Sequence, residues 1–94
     1  VDILARFGGE EFVIVMPETD RFAGARVAER LRQAIEVGPY TIHKGARQIS
    51  ITASFGLATM DGRVDTVDSL AKRADEALYE AKKQGRNRVV LAAA

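Results

Sequence analysis

The stretch Val1-Asp2-Ile3-Leu4-Ala5-Arg6-Phe7-Gly8-Gly9-Glu10-Glu11-Phe12-Val13-Ile14-Val15-Met16 decides how the rest of the chain is read. Two apolar runs rich in β-branched and aromatic residues flank a Gly-Gly pair, and glycine supplies the positive φ that tight hairpin turns require. The pattern predicts a β-hairpin, ended by Pro17, which cannot donate to a ladder. Its turn carries two adjacent carboxylates, Glu10 and Glu11.

Working outward, the pattern predicts a helix from about Arg21 to Val37, with Thr19 or Asp20 as N-cap and Val27, Ala28, Leu31, Ala34 and Ile35 on one apolar stripe. Gly38-Pro39 stops it. Tyr40 to His43 and Gln48 to Thr59 flank a Lys44-Gly45 turn. Alternation of Ile49, Ile51, Ala53, Phe55 and Leu57 with small or polar residues predicts a second hairpin with one buried face. A second helix is expected over about Val67 to Gln84, with Val67, Leu70, Ala71, Ala74, Leu78 and Ala81 inward and Gly85 at the left-handed C′ position. Arg88 to Leu91 reads as a last short strand. The order predicts an α+β layer of mainly antiparallel sheet with helices packed on it. The chain opens inside a strand, with no cap or polar lead-in, and is expected to be a fragment of a larger domain.

Ninety-four residues make one small domain, and a formal charge of +1 leaves no bulk field to hold nucleic acid or an anionic membrane. Phosphate binding, where it occurs, must be local. There is no cysteine and a single histidine, His43, so disulfides, thiolate metal sites and His-rich metal sites are excluded. Hard cations on oxygen ligands remain. No apolar run approaches the roughly 20 residues that span a bilayer, and no signal peptide opens the chain, so a cytoplasmic location is expected.

Two elements carry the chemistry. Around Gly8 and Gly9, backbone amides can approach a phosphate with no Cβ in the way, and Glu10 and Glu11 offer oxygens to a divalent cation beside it. Spacing alone favours a plain solvated turn. In the second element, Ala74-Asp75-Glu76-Ala77-Leu78-Tyr79-Glu80-Ala81-Lys82-Lys83-Gln84-Gly85-Arg86-Asn87-Arg88, positions 75, 79 and 82 share a helix stripe. Arg86 is expected one turn beyond Lys82, where the helix ends. Helix-dipole compensation is the ordinary role of such cations; next to a Gly-rich acidic turn they can neutralise a triphosphate. His43, beside the Lys-Gly turn, reads as an exposed strand-end residue.

Ala5-Arg6-Phe7-Gly8-Gly9-Glu10-Glu11-Phe12, Ser54-Phe55-Gly56-Leu57-Ala58, and Ala74-Asp75-Glu76-Ala77-Leu78-Tyr79 through Gly85-Arg86-Asn87-Arg88 together resemble the GGDEF domain of diguanylate cyclases. The resemblance spans essentially all 94 residues as the C-terminal portion of one such domain. It implies a fold similar to nucleotidyl cyclases and polymerase palm domains, with a ferredoxin-like core. The implied activity condenses two GTP into cyclic di-GMP with release of two pyrophosphates. Two domains face each other as a homodimer, and each 3′-hydroxyl attacks the other's α-phosphate.

By the same resemblance, Gly8 and Gly9 lie against the nucleotide, and Glu10 ligates Mg²⁺ or Mn²⁺ and acts as base for the 3′-hydroxyl. Glu11 helps shape the metal site, and Lys82 and Arg86 grip the terminal phosphates. An upstream sensory or regulatory domain is implied, with the parent protein sometimes membrane-anchored. Two departures stand out. The family's upstream strand and helix, with a metal-binding Asp and guanine-reading Asn and Asp, have no counterpart here, so the 94-residue stretch alone is expected to be inactive. The family's product-inhibition site is an Arg-x-x-Asp before the glycines; Asp2 has the right spacing, the Arg would precede Val1, and Arg30 is at a suitable position for the helix arginine by which a partner domain completes that site, while a solvated helix face is its more ordinary reading. The competing expectation is a non-catalytic module that binds GTP or cyclic di-GMP.

Overall fold

The computed structural model describes residues 3–6, 12–16, 19–38, 40–42, 44–45, 47–63 and 65–92. Strands β1 (Ile3–Arg6) and β2 (Phe12–Val15) pair antiparallel, with Ile3 opposite Val15 and Arg6 opposite Phe12. This is the expected first hairpin. Helix α1 (Arg21–Val37) follows, and the Asp20 carboxylate caps it by accepting the Ala23 N–H at 2.8 Å. At its far end the Tyr40 hydroxyl donates to the Ile35 carbonyl at 2.9 Å, engaging a last-turn acceptor that the helix leaves open.

The second hairpin is shorter than its sequence pattern suggests. Strands β3 (Tyr40–Ile42) and β4 (Arg47–Ile49) pair antiparallel around a turn in which Lys44 and Gly45 both have positive φ. The chain then leaves that ladder, and Ile51, placed on the buried face by its alternation, is 44% exposed. Strand β5 (Phe55–Leu57) starts afresh with another partner. The single strand expected over 48–59 is therefore two, because β3 offers only three residues to pair with.

Helix α2 (Val67–Lys83) carries the chain across to β6 (Val89–Leu91), which pairs parallel with β5 in the register Phe55 to Val89 and Leu57 to Leu91. Parallel neighbours need a crossover of this kind. The fold is α+β, with two antiparallel pairs and one parallel pair among the described residues.

The two helices cover opposite faces of β5–β6. A Cβ on Gly56 would lie 2.2 Å from the Leu78 backbone nitrogen and 2.3 Å from the Ala74 carbonyl oxygen, so α2 rests directly on the strand there. One residue on, the Leu57 side chain lies where a Cβ on Gly24 of α1 would be, at 3.3 Å. Successive strand residues point to opposite faces, which puts α2 on the Gly56 side and α1 on the Leu57 side. Close approach explains the composition of the core: among the described residues the buried ones are Gly24, Ala28, Ala77, Ala81 and Ala92. Val67 and Ala71, expected inward, lie at the exposed margin, and Ala77 takes the inward place.

On α1 the inward stripe runs Gly24, Ala28, Arg32 rather than continuing through Leu31 and Ala34, both of which are exposed. Two arginines fasten this helix alongside β6. Arg21 Nη1 donates to the Ala92 carbonyl at 2.6 Å, just past the strand's end, and Arg32 Nη1 donates to Asn87 Oδ1 at 2.8 Å, just before its start. From Arg21 to Arg32 a helix advances about 16 Å, as does a strand from Asn87 to Ala92, so the spacings match.

Candidate functional site

The exit from α2 holds two of the predicted site residues. Lys82 is half-buried on the helix's last turn, and Gln84 is the C-cap. Gly85 then takes φ 120°, a left-handed conformation that a side chain would strain. The Gly85 N–H donates back to the Lys82 carbonyl at 3.4 Å and the Arg86 N–H to the Ala81 carbonyl at 2.9 Å. These are the paired bonds of a Schellman ending, and they satisfy carbonyls the helix leaves open. Gly85 thus occupies the position the sequence assigned it.

Arg86 does not continue the helix stripe of Lys82. With φ 66° it lies beyond the reversal, so its approach to Lys82 is set by the turn and not by helical periodicity. It is exposed, and among the described residues its guanidinium makes no hydrogen bond or ion pair. Asn87 is also left-handed, at φ 49°. Arg88 folds back, its Nε donating to the Arg86 carbonyl at 3.0 Å. Between Ala81 and Arg88 the sequence places four cations and no acid.

Residues given no individual role by the sequence reading hold this turn. The Ser54 hydroxyl accepts the Asn87 N–H at 3.1 Å. Asn87 Oδ1 accepts from Arg32, and its Nδ2 donates to Glu36 Oε2 at 2.5 Å. Arg32 also forks onto Glu29, with Nε to Oε1 at 2.8 Å and Nη2 to Oε2 at 2.7 Å, and reaches Glu36 Oε1 at 3.2 Å. The hydrogen bond from Asn87, followed by the Arg32 guanidinium, holds the Glu36 carboxyl below its ordinary range, and the Arg32 hydrogen bond does the same for Glu29. The Glu29 bond in turn raises Arg32 further. All three stay ionised at neutral pH. The only sequence signal for this arrangement was the Glu29, Arg32, Glu36 spacing at three and four residues, which marks intrahelical pairing and says nothing of Asn87.

Gly8, Gly9, Glu10 and Glu11 lie outside the described residues, as do Asp2 and His43. The paired residues Arg6 and Phe12 bracket the Gly-Gly-Glu-Glu segment in the chain. Arg30 is exposed on α1. Among the described residues no group of three or more Asp, Glu or His side chains is placed to hold a metal ion, and no helix is long and apolar enough to cross a membrane. A shallow groove between α2 and β6, lined in part by Glu76, Ala77, Glu80 and Val90, contains none of the predicted site residues.

A cation-rich helix exit beside a parallel βαβ crossover is a candidate phosphate-binding feature. The family model described as diguanylate cyclase, GGDEF domain, matches residues 1–88, and the chain belongs to that family. It is 44% identical over 90 residues to the response regulator PleD of Caulobacter vibrioides, a match covering 96% of this chain and 20% of PleD. Against the diguanylate cyclase DgcP of Pseudomonas aeruginosa it is 44% identical over 91 residues, 97% of this chain and 13% of that protein. The chain thus spans a fifth or less of these relatives. The crystal structure of the GGDEF domain of DgcB from Caulobacter crescentus, in complex with c-di-GMP, superposes with a TM-score of 0.86 at 32% identity, over 94% of this chain and 52% of that one.

Proposed function

We propose that this chain forms part of a catalytic diguanylate cyclase domain that condenses two GTP into cyclic di-GMP and two pyrophosphates. Gly8 and Gly9 let the backbone approach the nucleotide, and Lys82 and Arg86 neutralise the β- and γ-phosphates. Glu10 accepts the proton of the 3′-hydroxyl; the freed oxygen bonds to the α-phosphorus of the facing GTP, and the bond to the pyrophosphate oxygen breaks. Two domains face each other for this exchange. Glu10 and Glu11 are hard oxygen donors and fit Mg²⁺ or Mn²⁺, which when bound would stabilise charge on the phosphate oxygens. The site works in the cytoplasm, where GTP is available, under an upstream sensory or regulatory domain.

The observation that carries this reading is the exit turn of α2. Its backbone carbonyls are satisfied by the turn itself, while the Arg86 guanidinium is left unengaged among the described residues. The C-terminal end of a helix is electronegative, so a polyanion is held there by side-chain cations and not by backbone amides.

The test is Glu10→Ala in the full-length protein. Cyclic di-GMP formation should fall by orders of magnitude, since a lost metal ligand and base cannot be bypassed, while a turn substitution leaves the thermal midpoint nearly unchanged. Near-normal turnover by the folded variant would overturn the assignment and leave a nucleotide-binding signalling module in its place.

A further inference from the structure

Three consecutive residues in the exit turn, Gly85, Arg86 and Asn87, have positive φ. Glycine adopts that conformation freely and Asn tolerates it, but for Arg it is uncommon and must be imposed by the surroundings. On the helix side, the Arg86 N–H is tied to Ala81. On the strand side Arg88 Nε donates to the Arg86 carbonyl at 3.0 Å, and the restraints from elsewhere in the chain pass through Asn87. Ser54, just before β5, accepts its N–H. Arg32 and Glu36 of α1 grip the two ends of its amide at 2.8 and 2.5 Å. The Arg32 fork is itself fixed by both oxygens of Glu29, and its side chain is only 14% exposed. An amide that accepts from a cation and donates to an anion has a single orientation, because rotating it by half a turn would set donor against donor and acceptor against acceptor.

We propose that Asn87, clamped by Arg32, Glu36 and Ser54, is a positioning residue that aims Arg86 at the terminal phosphates of GTP. This rests on the role given to Arg86 above. The clamp joins three segments, so α1 and the segment that leads into β5 share in setting the direction of one phosphate-binding cation. Arg86 gains pre-organisation from its neighbour without spending any of its guanidinium donors.

The test compares GTP and GMP affinity in the full-length protein. Asn87→Gly keeps the left-handed backbone accessible and removes both side-chain bonds, and Ser54→Ala removes the third tether from a different element. Asn87→Gly should weaken GTP about tenfold, with GMP changed by less than about twofold, and Ser54→Ala should act in the same direction. In an Arg86→Ala background, Asn87→Gly should add almost nothing, since it acts through the missing side chain. Equal loss of both nucleotides, or an undiminished effect in the Arg86→Ala background, overturns the proposal and makes the clamp purely structural. An Arg86→Ala variant that does not itself discriminate GTP from GMP removes the role of Arg86, and the inference falls with it. A selective Arg86→Ala beside an unselective Asn87→Gly refutes the inference alone. Were Asn87→Gly to unfold, Ser54→Ala in the two backgrounds gives the same decision.

Discussion

The two ends of α2 are built from similar residues to different effect. At the entry, acids and arginines are matched. Asp65 Oδ2 accepts from Arg73 Nη2 at 2.5 Å, and the same Nη2 reaches the Thr59 carbonyl at 2.6 Å. Asp61 holds Arg63 through both backbone and side chain, at 3.1 to 3.4 Å. Thr66 and Ser69 complete a reciprocal capping box, and the Ser69 hydroxyl donates to Asp65 at 3.0 Å. At the exit the backbone is equally well satisfied, but the sequence from Ala81 to Arg88 holds four cations and no acid; Lys83 lies 4.0 Å from Glu80, and the Arg86 guanidinium is unengaged among the described residues. The contrast teaches that hydrogen-bond saturation of a turn and neutralisation of its charges are separate matters. The entry turn spends its charges on starting the helix, whereas the exit turn fixes its backbone by other means and leaves the Arg86 guanidinium unengaged among the described residues.

Removing what holds α2 in place should abolish the comparison altogether. In Gly56→Ala the added methyl meets backbone atoms of Ala74 and Leu78, which cannot rotate aside as a side chain would. A loss of at least about 3 kcal/mol is expected, the upper range for overpacking, read from the denaturant midpoint. Both ends of the helix should be lost together; a wild-type midpoint would mean that the helix does not rest on the strand there.

The comparison sharpens when the exit cations are removed singly. Lys82→Ala and Arg86→Ala should each weaken GTP by about ten- to a hundredfold, the worth of one charge-assisted contact, with little effect on GMP or on folding. Equal losses for GTP and GMP would return these residues to compensating the helix end.

The smallest effect is expected at the entry. Hydrogen bonds from Arg73, from the Asp61 backbone and from Ser69 lower Asp65 from the ordinary 3.8 to about 2. A carboxylate depressed in the folded state contributes stability above its unfolded pKa and loses it as pH falls through the folded one. Unfolding titrations should therefore show a decline between about pH 4 and pH 2 that is diminished in Asp65→Asn. An unchanged acid limb in that variant would show that the Asp65–Arg73 pair contributes nothing to it.

Much of this molecule was legible before any coordinates. Helix α1 begins and ends where its cap and Gly38 place it, and α2 ends at the residue before the expected one, with Gly85 left-handed as its position after the helix requires. Paired strands bracket the Gly-Gly segment in the chain and the Lys44-Gly45 turn, as expected. The cations at the α2 exit were legible too, as residue types in a particular order. Less legible was their geometry, because Arg86 lies past a chain reversal where helical periodicity no longer applies.

What the sequence determined by itself is local: the ends of helices, the tight turns and the ordered motifs that place the chain in the GGDEF family, all of which follow from backbone preferences within a few residues. Tertiary structure alone decided that residues 48–59 break into two strands, that β5 pairs parallel with a strand lying beyond an entire helix, and that Gly56 is the point of contact for α2. It also decided that Arg32 of α1 meets Asn87, 55 positions away. No periodicity encodes such a meeting. Hydrophobic pattern says which face of an element turns inward, whereas the choice of partner depends on how helix rise, strand rise and side-chain volume fit together once all the elements are assembled.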